Sequence, residues 1–119
     1  MTFSVEPSRL LNVVEKEGNG GGRFRKNEVA VRLLACEGSI WVEAEGCQRA
    51  LKATVWDGGQ CLVLAGELIH SLRDFGSESC VTISADEQGL CIRGEFIPVL
   101  RYCSWALPPG NLNEIAATD

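Results

Sequence analysis

The feature that most constrains this chain is an internal echo. Val5, Leu10, Leu11 and Val14 return as Val63, Leu68, Ile69 and Leu72 at a constant offset of 58 positions, almost half of the 119 residues. The surroundings repeat as well. Phe3 and Val5 alternate with Thr2 and Ser4 as in a short strand, and Glu6-Pro7 then opens a helix with proline preorganised at its first position. That helix is expected over about 7 to 17, with Leu10, Leu11 and Val14 inward and Arg9, Asn12 and Lys16 on the other face. Cys61 to Leu64 reads as the corresponding later strand and Glu67 to Phe75 as the corresponding helix.

After each helix the hydrophobic period changes to two. Val29 to Cys36, Ser39 to Glu43 and Arg49 to Trp56 read as three strands, separated by Glu-Gly turns at 37-38 and 45-46. In the third, Leu51, Ala53 and Val55 share one face while Lys52, Thr54 and Trp56 share the other. Cys80 to Ala85, Leu90 to Arg93 and Val99 to Trp105 form the second set. The expected architecture is α+β: two βαβββ halves, about 1 to 57 and 58 to 107, forming one domain over 1 to 107. Both helices must lie on one side of antiparallel sheets if their leucine stripes share a core. The outer sheet faces are left to solvent or partners. Residues 108 to 119, beginning Pro108-Pro109-Gly110, read as a tail or connector.

Composition narrows the function classes. The longest apolar run falls far short of the roughly 20 residues of a membrane helix, and the opening residues lack the basic and apolar regions of a secretory signal. A cytoplasmic protein without membrane association is expected. Six cysteines, at 36, 47, 61, 80, 91 and 103, include no Cys-x-x-Cys pair, so free thiols in strands are expected instead of metal ligands or disulfides. The single histidine, His70, has no evident nucleophile or metal constellation around it. No cofactor, no metal and no catalytic activity are expected.

Charge is unevenly placed. Residues 1 to 35 hold six Lys/Arg against four Asp/Glu, whereas residues 36 to 119 hold five against twelve, within a net charge of −5. The helix-ending run Gly18-Asn19-Gly20-Gly21-Gly22 leads directly into Arg23, Arg25 and Lys26. Such asymmetry permits a local anionic partner on an acidic exterior, although charge runs are commonly only solvated faces.

These residues resemble the bacterial sliding clamp, the beta subunit of DNA polymerase III, and specifically its first domain. Phe3-Ser4-Val5-Glu6 with Leu10-Leu11 is similar to that family's opening strand and helix, and Gly21-Gly22-Arg23 to its glycine-rich loop with a basic residue. Val63-Leu64-Ala65 leading into Leu68 is similar to its second helix start. Asp86-Glu87-Gln88-Gly89 before Leu90-Cys91-Ile92-Arg93 resembles the hairpin that closes the domain, and Leu107-Pro108 its exit. The resemblance spans about 105 residues and implies a ring built by edge-to-edge strand pairing, with helices lining a hole that holds duplex DNA. A ring of this kind needs long-range attraction to phosphates and no base readout. Arg9, Lys16 and Arg73 on the helices, with Arg23, Arg25 and Lys26 in the loop, are then the expected DNA-binding residues, with His70 beside them. The family carries three such domains, and this chain has one.

Two further expectations concern proteins. Trp41 and Trp56 fall out of phase with their buried neighbours and are expected on the outer sheet face as a partner surface. Sheet edges are expected to mediate self-association, with 99–105 and 29–36 as candidate edges. Two readings stand: a noncatalytic clamp-like homo-oligomer that tethers duplex DNA, and an interaction or scaffold domain with the same architecture and no DNA.

Overall fold

The computed structural model describes residues 1–17, 29–44 and 47–106. Its opening strand β1 (Thr2–Val5) feeds helix α1 (Pro7–Glu17), the span expected from the sequence. Pro7 occupies the first turn, where a missing N–H costs nothing, and the Leu10 N–H donates to the Glu6 carbonyl at 3.2 Å. Leu10, Val13 and Val14 are buried and Leu11 is half-buried. Four strands follow: β2 (Ala30–Cys36), β3 (Ser39–Ala44), β4 (Cys47–Lys52) and β5 (Thr54–Asp57). The second half repeats this order as β6 (Gly59–Leu64), α2 (Ala65–Arg73), β7 (Val81–Ala85), β8 (Leu90–Ile92), β9 (Glu95–Ile97) and β10 (Arg101–Cys103).

Each half therefore carries four strands after its helix instead of the expected three. The expected strand 49–56 is interrupted at Ala53, and its two parts pair in different sheets: β4 with β3, and β5 with β1. The second half does the same around Pro98, with β9 on β8 and β10 on β6. Pro98 has no N–H for a ladder, and Leu100 resumes pairing by donating to the Leu62 carbonyl at 2.7 Å. Alternation passes through Ala53 undisturbed, since Leu51, Ala53 and Val55 stay half-buried while Lys52, Thr54 and Trp56 stay exposed. Periodicity alone could not reveal the change of sheet.

The two antiparallel sheets have orders β5-β1-β7-β8-β9 and β10-β6-β2-β3-β4. Replacing each strand by its counterpart five places along converts one order into the other. The halves are thus related strand for strand, and each sheet contains strands from both halves. The expected edge 29–36 lies instead at the centre of the second sheet, because β2 pairs with β6 on one side and β3 on the other. The edges are β5, β9, β10 and β4, so the segment 99–105 does supply one.

The helices pack side by side, α1 over β3 and β4 and α2 over β6 and β9. Between helices and sheets lies one core, containing Phe3, Leu10, Leu33, Ile40, Leu68, Leu72, Ile83, Leu90 and Ile92, all fully buried. Helix α2 starts two residues earlier than expected. No side chain caps it; the Ala65 N–H donates to the Val29 carbonyl at 2.8 Å, so its cap is supplied by the neighbouring chain segment. No described helix is long and apolar enough to cross a membrane.

Candidate nucleic-acid interface

The exposed faces of α1 and α2 form one continuous surface because their apolar stripes are committed to the sheets. Arg9, Lys16 and Arg73 all project from it and are exposed, as expected, and His70 is exposed on the same helix as Arg73. Arg23, Arg25 and Lys26 lie outside the described residues. Three of the six expected DNA-binding residues thus share one helical surface.

That surface is partly self-neutralised. The Arg9 Nε stands 3.2 Å from the Glu6 carboxylate, one helical turn away, and the Arg73 guanidinium stands 3.5 Å from Glu15, tying α2 to α1. Exposed pairs of this kind contribute on the order of 0–1 kcal/mol, so a phosphate can displace the carboxylate at small cost. The wider balance matters more. Glu6, Glu15, Glu17, Glu67 and Asp74 lie in or beside the two helices against three basic residues. Attraction to phosphate from the helices alone is weak, and the next cations along the chain after α1 are Arg23, Arg25 and Lys26.

The tryptophans separate. Trp41 is half-buried on the outer face of the second sheet, opposite Leu34 and Ala50. Trp56 is 62% exposed at an irregularity in edge strand β5 of the other sheet, where Thr2 pairs with Asp57 and Phe3 with Val55. They do not form one surface. Sequence phase placed each side chain correctly on an outward face but could not show that the chain changes sheet between them. Three further exposed apolar residues gave no comparable signal: Phe96 and Leu100 flank Pro98, and Trp105 follows the last strand.

All six cysteines are free, five of them in strands. Burial pushes the Cys61 thiol up to about 12, and burial with the neighbouring Glu37 charge raises Cys36. Burial, then the charges of Asp57 and Asp86, raises the Tyr102 phenol. Among the described residues no group of three or more His, Cys, Asp or Glu side chains is placed to hold a metal ion.

No family model and no curated protein matches the sequence. Solved structures do match. The beta subunit of DNA polymerase III from Borrelia burgdorferi, solved with a natural product, superimposes with a TM-score of 0.74 at 13% identity over 84% of this chain. The Helicobacter pylori beta clamp bound to a DNA ligase peptide gives 0.69 at 10% identity over 85%, and Caulobacter crescentus pol III beta gives 0.66 at 18% over 93%. The chain spans 30–31% of the length of each of these three. With two like halves, paired helices and two five-stranded sheets, this chain has the fold of one domain of a bacterial DNA polymerase III beta clamp.

Proposed function

We propose that this chain is a noncatalytic, cytoplasmic, clamp-like DNA-associated protein that tethers duplex without reading its sequence and works as a homo-oligomer. The observation that carries the reading is the repeat-related geometry: two helices on one side of two sheets, with β4 and β9 as equivalent edges at the ends of different sheets. Pairing β4 of one copy with β9 of the next is a head-to-tail contact, which propagates around a ring where a contact of one edge with itself stops at a dimer. Strand β4 suits the task, with six residues and Cys47 to Ala50 exposed. Such a ring turns the helices, and with them Arg9, Lys16 and Arg73, toward its centre. Arg23, Arg25 and Lys26, which follow α1 in the sequence, supply the cations that the ion-paired helices lack.

Duplex binding measured by fluorescence anisotropy over a salt series tests this. Two unrelated sequences should bind alike, and affinity should fall steeply with salt. Replacing Arg23, Arg25 and Lys26 together by Gln should weaken both duplexes equally and reduce the salt slope by up to about 0.9 for each phosphate no longer neutralised. Absence of duplex binding at low salt would contradict the reading. The carboxylate excess around the helices would then favour the second reading, a scaffold domain that meets proteins only. A partner on the outer sheet face fits either reading, and the Helicobacter pylori neighbour, bound to a DNA ligase peptide, shows that proteins of this fold can take a peptide.

A further inference from the structure

The outer faces of the two sheets are chemically unlike, although the strands beneath them are equivalent. Across the first, the row through Ser4, the counterpart of Leu62, runs Thr54, Ser4 and Thr82, with no cation. The corresponding region of the second holds Arg101, Leu62 and Arg32, because Leu62 of β6 pairs with Arg101 of β10 and with Arg32 of β2. Residues directly opposite in an antiparallel ladder share a face, and neighbouring strands lie about 4.8 Å apart, so the two arginines flank Leu62 with roughly 10 Å between their backbones. A cavity of about 160 Å³ opens there, lined by Arg32, Leu62, Arg101, Gln60 and Cys103.

Neither guanidinium has a carboxylate within 4 Å among the described residues, whereas Arg9, Arg73 and Arg93 all do. Glu43 is the register partner of Arg32 on β3 and still makes no ion pair with it. Two register positions along β6, Gln60 donates from Nε2 to the Trp105 carbonyl at 3.2 Å, and the Cys36 thiol donates to the Ala106 carbonyl at 3.4 Å. These bonds hold the segment after β10 against the outer face, and they leave the Trp105 side chain 62% exposed.

We infer that this face docks an extended peptide segment of a partner protein carrying an acidic residue and a large apolar residue two positions apart. In an extended chain such residues point the same way about 6.8 Å apart, the same spacing that separates Leu62 from Gln60 along β6. The carboxylate enters the cavity between Arg32 and Arg101, where both forks can donate to it, and the apolar side chain lies on Trp105. Charge complementarity selects the occupant: two uncommitted guanidiniums over an apolar floor, on a protein whose net charge is −5. The inference is independent of DNA binding by the helices.

The test uses the full chain and a blocked seven-residue peptide with Glu and Leu two positions apart in a Ser/Gly background, followed by NMR chemical-shift titration. Shifts should centre on Arg32, Leu62, Arg101 and the Trp105 indole. Replacing the peptide Glu by Gln, or the protein's Arg32 and Arg101 by Gln, should weaken binding about tenfold or more, and moving Leu next to Glu should weaken it severalfold. Arg101 is exposed, Arg32 is half-buried on the outer face and neither makes an ion pair among the described residues, so the melting temperature of the double variant should stay near that of the parent. Duplex affinity should be unchanged in it. Equal peptide binding by the double variant, shifts centred elsewhere, or inorganic phosphate binding as well as the peptide would overturn the inference. A loss of duplex affinity in the double variant would overturn it too, by assigning these arginines to nucleic acid.

Discussion

Ser71 is a single side chain at which the internal repeat is imperfect. Its counterpart 58 residues earlier is the buried Val13, yet Ser71 is itself 3% exposed and its hydroxyl has no hydrogen-bond partner. An unsatisfied buried hydroxyl costs about 1–3 kcal/mol, and alanine is the better helix former. Ser71→Ala should therefore raise stability by about 1 kcal/mol in urea denaturation; a drop of that size would show that the hydroxyl is engaged. Cys61 gives a pH prediction. Its thiol titrates near 9.0 when unfolded and near 12 when folded, so the folded state holds the extra proton between those values and stability falls as pH rises through them. Tyr102, also raised, acts in the same direction. Cys61→Ala should flatten part of that decline, and iodoacetamide at pH 8 should label exposed Cys47, Cys80 and Cys91 well before Cys61. At this scale the sequence was informative about which residues face outward: Arg9, Lys16 and Arg73 are all exposed. It could not show that Glu15 already holds Arg73, because that pair joins different helices, whereas the Glu6–Arg9 pair has ordinary i,i+3 helix spacing.

Turns and helices obey the local signals more closely than long strands do. Glu37 and Gly38 have φ of 48° and 78° and join β2 to β3 directly, as a two-residue turn with both central residues left-handed. Arg93 and Gly94, at 47° and 88°, do the same between β8 and β9. Asparagine tolerates this conformation better than glutamate, so Glu37→Asn should stabilise by about 0.5–1 kcal/mol, whereas Gly38→Ala should destabilise by about 1 kcal/mol or more. Thermal melts of the two variants should move in opposite directions. The helix stripes make a second prediction, since Leu10 and Leu68 are equivalent and both fully buried. Each, replaced by alanine, should cost about 2–5 kcal/mol, and a negligible change at either would contradict the shared core. Strand boundaries were the illegible part. At Ala53 the hydrophobic alternation continues while the hydrogen-bonding partner changes, and partner choice depends on residues far away in sequence.

For the molecule as a whole, the repeat was legible because it is written in spacing, and the strand-for-strand correspondence of the two sheets bears it out. Assembly is a different matter, since an edge strand is defined by the neighbour it lacks. The proposed ring predicts a particle several times the 12.9 kDa chain mass, whose formation is blocked by Ala50→Pro in β4 without loss of the monomer fold. Light scattering on the parent and the variant distinguishes ring from monomer. The most direct measurement is retention on DNA of different topology. Loaded onto a nicked circular duplex and washed at a salt concentration that dissolves simple electrostatic binding, the protein should remain bound, then leave when one cut linearises the circle. Equal release from circular and linear duplex would contradict encirclement.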